Sequence, residues 1–154
     1  MKHFLFYGLV IVMACGMYSC KCSKKDAEPD TPAVSVADEL TNKRWQLVEI
    51  MGRPVTYSSE DNRIAYIQFR ADGTVSGSLS CNTFTGYYTA NPEILQIRFS
   101  NLVNTLKMCL DMEIENELSK VLQNADNYNV NGDKLTLNRA RMAPLARFEA
   151  VYLD

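Results

Sequence analysis

At 154 residues the chain has room for one domain with short extensions. Its composition is ordinary for a globular protein, 47% hydrophobic and 22% charged. The formal net charge of −2 supplies no basic footprint for nucleic acid and is too small to name a cationic partner.

The N-terminus differs from the rest. Lys2 and His3 are followed by an unbroken apolar run over residues 4–14. A run of that length is too short to cross a bilayer, which needs about 20 residues. It fits the apolar region of a secretory signal peptide. The stretch ending in Gly16-Met17-Tyr18-Ser19-Cys20 resembles a bacterial lipoprotein lipobox, and Ile11-Val12-Met13-Ala14-Cys15 is an alternative match. Cys22 does not match, because Lys21 precedes it. The resemblance implies cleavage before the cysteine, with residues 1–19 as signal peptide. It also implies a thioether-linked diacylglycerol on Cys20 and palmitate-type acylation of the new N-terminus. Two or more chains, at about 0.8 kcal/mol per buried CH₂, anchor where one would not.

Residues 20–38 then read as a lipidated cysteine and a flexible tether. Lys24, Lys25, Asp26, Pro29 and Pro32 dominate it, and so few apolar residues cannot offset ordering entropy. Of the five cysteines, only Cys81 and Cys109 lie in the expected domain, residues 39–154. In an oxidising compartment they can pair; the alternative is two reduced thiols packed as small hydrophobes. Cleavage at Cys20 removes His3, the only histidine, which excludes Ser-His-Asp and Cys-His catalysis and any imidazole metal site.

Within the domain, 44–50 is a strand with Trp45 and Leu47 on one face and Val48 and Ile50 on the other. Residues 55–62 form a polar loop. A strand over 64–70 carries Ala65, Ile67 and Phe69 on one face, and Asp72-Gly73 marks a hairpin. The next strand, 74–79, contains Gly77, which signals a bulge or a close backbone approach. A corner at 80–83 leads to a strand over 84–89, on which Tyr87 and Tyr88 point to opposite faces. Asn91-Pro92 is a turn, and 94–99 alternates again. Residues 111–125 form the one amphipathic helix, with Ile114, Leu118, Val121, Leu122 and Ala125 on its buried stripe. Asp111 can cap it, and Asp111, Glu113, Glu115 and Glu117 read as a solvated acidic half. Asn131-Gly132 makes the clearest hairpin, between strands at 128–130 and 134–137. A loop bearing Arg139 and Arg141 precedes a last strand over 146–153. About eight short strands with short links and one helix give an α+β domain with a strongly curled or barrel-like antiparallel sheet.

The order of these segments resembles the META domain, or HslJ-like, family. Trp45 stands in the opening strand. Cys81-Asn82-Thr83-Phe84-Thr85-Gly86-Tyr87 and Thr105-Leu106-Lys107-Met108-Cys109 follow, and then come the acidic helix and the hairpin closing on Lys134-Leu135-Thr136-Leu137. One departure is Ser80, where the family often has glycine. The resemblance implies a non-enzymatic, cofactor-free domain of secreted or membrane-anchored bacterial proteins, linked loosely with stress and envelope integrity. It implies no catalytic residues.

Structural roles are expected for the remaining candidates. Asn82 should bond its own turn backbone and take the left-handed conformation. Gly86 should be a backbone-packing glycine, Thr105 should cap or back-bond near the helix entry, and Met108 should be core rather than metal ligand. The expected location is the cell envelope, lipid-anchored, most simply at the outer membrane. The expected partners are the membrane and an unidentified envelope protein or glycan. The alternative is a carrier or sensor of a small apolar ligand inside the curled sheet.

Overall fold

The computed structural model describes residues 39–57 and 63–152. The expected signal peptide, Cys15, Cys20, the tether and part of the 55–62 loop lie outside the described residues. The strands are β1 (Arg44–Ile50), β2 (Arg53–Pro54), β3 (Tyr66–Phe69), β4 (Thr74–Ser78) and β5 (Thr83–Asn91). They continue with β6 (Gln96–Asn104), β7 (Asn127–Asn131), β8 (Lys134–Asn138) and β9 (Ala146–Val151), and helix α1 (Glu113–Asn124) lies between β6 and β7.

The strands form one nine-stranded sheet in the order β2-β1-β3-β4-β5-β6-β7-β8-β9, and β1 also pairs β9. The sheet therefore returns on itself in a ring, with β2 appended to β1. Every pairing is antiparallel. This agrees with the expected curled α+β sheet, with a two-residue β2 that the sequence does not announce.

One join in the ring is thin. β6 and β7 pair only at Gln96↔Asn127. Helix α1 sits between these strands in the chain and packs against β6 and β1. Its Leu118, Val121 and Leu122 enter the same core cluster as the inward residues of the sheet. That cluster includes Trp45, Ile67, Phe69, Phe84, Tyr128, Leu135 and Phe148, all buried. The Phe69 ring packs edge-on against Tyr88 at 4.8 Å and tilted against Phe99 at 6.1 Å. An interior filled in this way gives no support to the apolar-ligand carrier.

Strict alternation fails in β1. Trp45 and Leu47 face inward as expected, but Ile50 is buried beside them rather than on the opposite face. The register against β9 shifts between Leu47 and Glu49, and that irregularity turns Ile50 back into the core. Trp45 Nε1 donates to the Leu40 carbonyl at 2.9 Å, which satisfies the indole as it enters the core.

Two glycines are required by close approach. A Cβ on Gly77 would lie 2.1 Å from the Tyr66 carbonyl oxygen and 2.7 Å from Phe84 Cε1. Of the two readings for Gly77, the close approach holds. A Cβ on Gly86 would lie 2.8 Å from Leu102 Cδ2 and 2.9 Å from the Ser100 carbonyl oxygen, so Gly86 is a packing glycine. Tyr87 points outward, 54% exposed, while Tyr88 packs inward and its hydroxyl donates to the Arg70 carbonyl at 2.9 Å.

Candidate functional site: a latched corner

The corner between β4 and β5 starts with Leu79 and Ser80. The Leu79 amide donates to the Asn82 carbonyl at 2.7 Å, closing a tight turn. Ser80 takes the left-handed conformation, at φ 108°. Asn82 was expected there instead, and the difference has a reason: the asparagine side chain is engaged elsewhere.

Asn82 is 2% exposed. Its Nδ2 donates to Glu115 Oε1 at 2.7 Å and to the Lys107 carbonyl at 2.9 Å. Its Oδ1 accepts from Thr105 Oγ1 and from the Lys107 amide, both at 2.7 Å. Two donated and two accepted bonds use the full capacity of a carboxamide. The Asn82 amide adds a bond to Glu115 Oε2 at 2.8 Å. The expectation that Asn82 bonds its own turn is therefore corrected. It ties three stretches of chain together: the corner, the 105–109 segment and helix α1.

Glu115 corrects a second expectation. It was grouped with Asp111, Glu113 and Glu117 as solvated, yet it is 8% exposed. Burying a carboxylate is tolerable only with charge-assisted donors, and Asn82 supplies two. The sequence held the signal: Glu115 lies three residues before Leu118 and seven before Leu122, on their stripe of the helix.

Thr105 was expected to serve the helix entry. It accepts from the Thr83 amide at 3.2 Å while donating to Asn82, so it joins β5 to the segment instead. At the helix start Met112 occupies the N-cap position without a side-chain cap, and Asp111 accepts from the Glu113 amide at 3.0 Å. Cys81 and Cys109 form a disulfide with a Cα–Cα distance of 6.2 Å. The bond fastens the segment to the corner one residue away from Asn82.

Met108 overturns the expectation of a core residue: it is 97% exposed. Leu106 at 98% and Leu110 at 109% stand out in the same way. The physical reason is the latch. Asn82 and the disulfide take the backbone of Lys107 and the side chain of Cys109 toward the body, which leaves Leu106, Met108 and Leu110 facing outward.

A second polar group flanks the helix. Arg53 bonds Glu113 at 2.7 Å and also reaches Glu117, bridging β2 to α1. The hydrogen bond it donates to Glu113, helped by the charge of Glu117, holds the exposed guanidinium pKa above its ordinary value. The two carboxylates converge on a cation rather than on each other. Among the described residues no group of three or more His, Cys, Asp or Glu is placed to hold a metal ion.

The META domain family model matches residues 38–152. The chain belongs to the META domain family. Solved structures agree on the fold. An NMR structure of a protein is 24% identical, with 73% of this chain and 92% of that chain covered and a TM-score of 0.59. A DUF4847 family protein from Bacteroides vulgatus is 20% identical, covering 75% of this META chain and 96% of that chain at a TM-score of 0.58. A protein from Burkholderia xenovorans is 19% identical, covering 80% and 97% at a TM-score of 0.59. The search of curated proteins returns no match.

Proposed function

We propose that this META domain protein is a non-enzymatic, lipid-anchored component of the bacterial cell envelope. Its domain acts as a binding or structural module connected with envelope integrity or stress, held off the membrane by residues 20–38. The observation that carries this reading is the state of the corner. Every group there with chemical potential, Asn82, Glu115, Thr105 and the two cysteines, is consumed in holding the fold. A disulfide at this position fits an exported protein in an oxidising compartment. Carriage of a small apolar ligand has no observation in its favour, since the ring interior is packed with side chains.

Metabolic labelling with an alkyne fatty acid tests the anchor. Labelling should disappear in Cys20→Ser; labelling that persists there and vanishes in Cys15→Ser moves the anchor. Labelling that survives both substitutions removes the lipoprotein reading. Crosslinking in intact cells followed by identification of partners tests the module reading, and crosslinks confined to cytosolic proteins would overturn it.

A further inference from the structure

Residues 105–109 belong to no helix or strand. They follow directly on the end of β6 and are fixed by the disulfide and by both polar atoms of the Asn82 side chain. On this fixed backbone three apolar side chains recur at every second residue, and all three are essentially fully exposed. Contiguous exposed apolar groups on a soluble domain mark an interaction site. Rigidity matters here, because a segment already held in place loses little further freedom on binding.

The pattern is palindromic. Leu106, Met108 and Leu110 read the same in both directions, with Lys107 and Cys109 between them. We propose that residues 106–110 form a homodimer contact, in which two copies lay this segment antiparallel across a two-fold axis at Met108. An isologous contact requires a surface that is its own complement. In this register Leu106 meets Leu110 of the second copy, Met108 meets Met108, and Leu110 meets Leu106. All three side chains stand exposed on the body, so the apolar set matches throughout.

Charge agrees with the same register. Lys107 lies opposite Cys109 of the second copy and diagonal to its Asp111. Both charged residues are exposed, and the diagonal neighbour in an antiparallel pair is within reach of a lysine. The contact also has relief. A depression of about 380 Å³ lies beside the segment, lined by Leu106, Met108 and Met112 together with Asn104 and Asn116. This contact does not depend on the lipid anchor, and it stands or falls separately from the envelope assignment.

The test uses the full chain with Cys15, Cys20 and Cys22 changed to serine, so that neither lipid nor spare thiols contribute. Sedimentation equilibrium at concentrations up to about 100 µM should show a monomer–dimer equilibrium. Met108→Lys places two like charges face to face on the axis, and should weaken the dimer at least tenfold while leaving the circular dichroism melt unchanged. Asp111→Lys should weaken it several-fold, and Lys107→Asp combined with Asp111→Lys should restore it. Copies carrying Leu106→Cys mixed with copies carrying Leu110→Cys should crosslink on oxidation, whereas Leu106→Cys alone should not. A monomer throughout the range overturns the proposal, as does a dimer indifferent to Met108→Lys. If the chain is monomeric and Met108→Lys instead abolishes sedimentation with phosphatidylcholine vesicles, the segment is a lipid contact and the dimer is wrong.

Discussion

The inside of the ring and its latched corner are held by opposite means. The interior is a non-directional packing of apolar side chains, most of them sent inward by strand alternation and the rest by the helix stripe. The corner is directional. One asparagine, one glutamate, one threonine and one disulfide fix a segment that has no regular structure of its own. The interior builds the domain; the corner decides which residues the domain presents. The apolar surface at 106–110 follows from the second, since a freely collapsing chain would bury Leu106, Met108 and Leu110 rather than display them.

Removing the disulfide should have the largest effect on this contrast. Cys81 and Cys109 are 28 residues apart, and a loop of that size is worth about 3.5 kcal/mol in the chain-entropy model. Changing both cysteines to serine should lower the urea midpoint accordingly. A loss below about 1 kcal/mol would show that Asn82 alone suffices to fix the segment.

The interior is probed by Gly77→Ala. Its Cβ would meet the Tyr66 carbonyl oxygen at 2.1 Å, and backbone cannot yield as a flexible side chain does. The expected cost is about 3 kcal/mol, at the upper end for overpacking, read from chemical denaturation. An unchanged midpoint would mean that β3 and β4 can part without disturbing the core.

Asn82→Ala should cost about 2.5 kcal/mol, because it strips Glu115 of a donor and orphans the Lys107 amide. The informative quantity is its coupling to the disulfide. Both hold the same few residues, so a double-mutant cycle of Asn82→Ala with the cysteine pair should give about 1 kcal/mol of interaction energy. Strict additivity would separate the two fastenings and break the idea of a single latch.

These two regions also differ in how far the sequence discloses them. Alternation puts Trp45 with Leu47, and Ala65 with Ile67 and Phe69, on shared faces, and all five are buried. It went wrong at Ile50, where a register shift reverses the faces, and a bulge leaves no mark in a hydrophobicity pattern. At the corner, residue types were informative but partners were not. Asn82 is a good turn residue by propensity, and Glu115 is a good first-turn residue by charge. Their bond joins positions 33 residues apart, and no local rule contains it. Met108 defeats the expectation because apolar character does not by itself mean burial, least of all where the backbone is not free to turn inward.

Alkaline pH offers a subtler probe of the edge of the interior, where Tyr57 packs against the core. The Tyr57 hydroxyl donates to the Leu47 carbonyl at 2.9 Å, and burial pushes its pKa from 10.0 to about 12. A raised value means that the folded state holds the proton more tightly than the unfolded chain. The associated stability is intact below about pH 10 and is lost as pH rises toward 12. The full gap corresponds to about 2.7 kcal/mol; the ring is partly exposed, and screening reduces this to about half. Tyr57→Phe should flatten the fall in melting temperature between pH 10 and 12. It should not abolish that fall, since burial also raises Tyr88 and Tyr128. An unaltered slope would assign the alkaline loss to the other raised tyrosines, including Tyr152, which its bond to Asp133 raises.

The smallest expected effect is a gain. Ser80 carries a side chain at φ 108°, a conformation that costs an L-residue about 1 kcal/mol or more. The corner retains it because the surrounding bonds leave no alternative: the Leu79 amide reaches back to the Asn82 carbonyl, and Asn82 is itself held by the helix and the segment. Glycine at this position removes the strain but also widens the freedom of the unfolded chain, which works in the other direction. The side chain that would be lost makes no bond in the latch, so relief should prevail. Ser80→Gly should raise stability by about 0.5–1 kcal/mol, seen as a higher urea midpoint with an unchanged slope. If it lowers stability instead, the turn is not strained by its serine, and the corner is set by local preference rather than imposed by Asn82 and the disulfide.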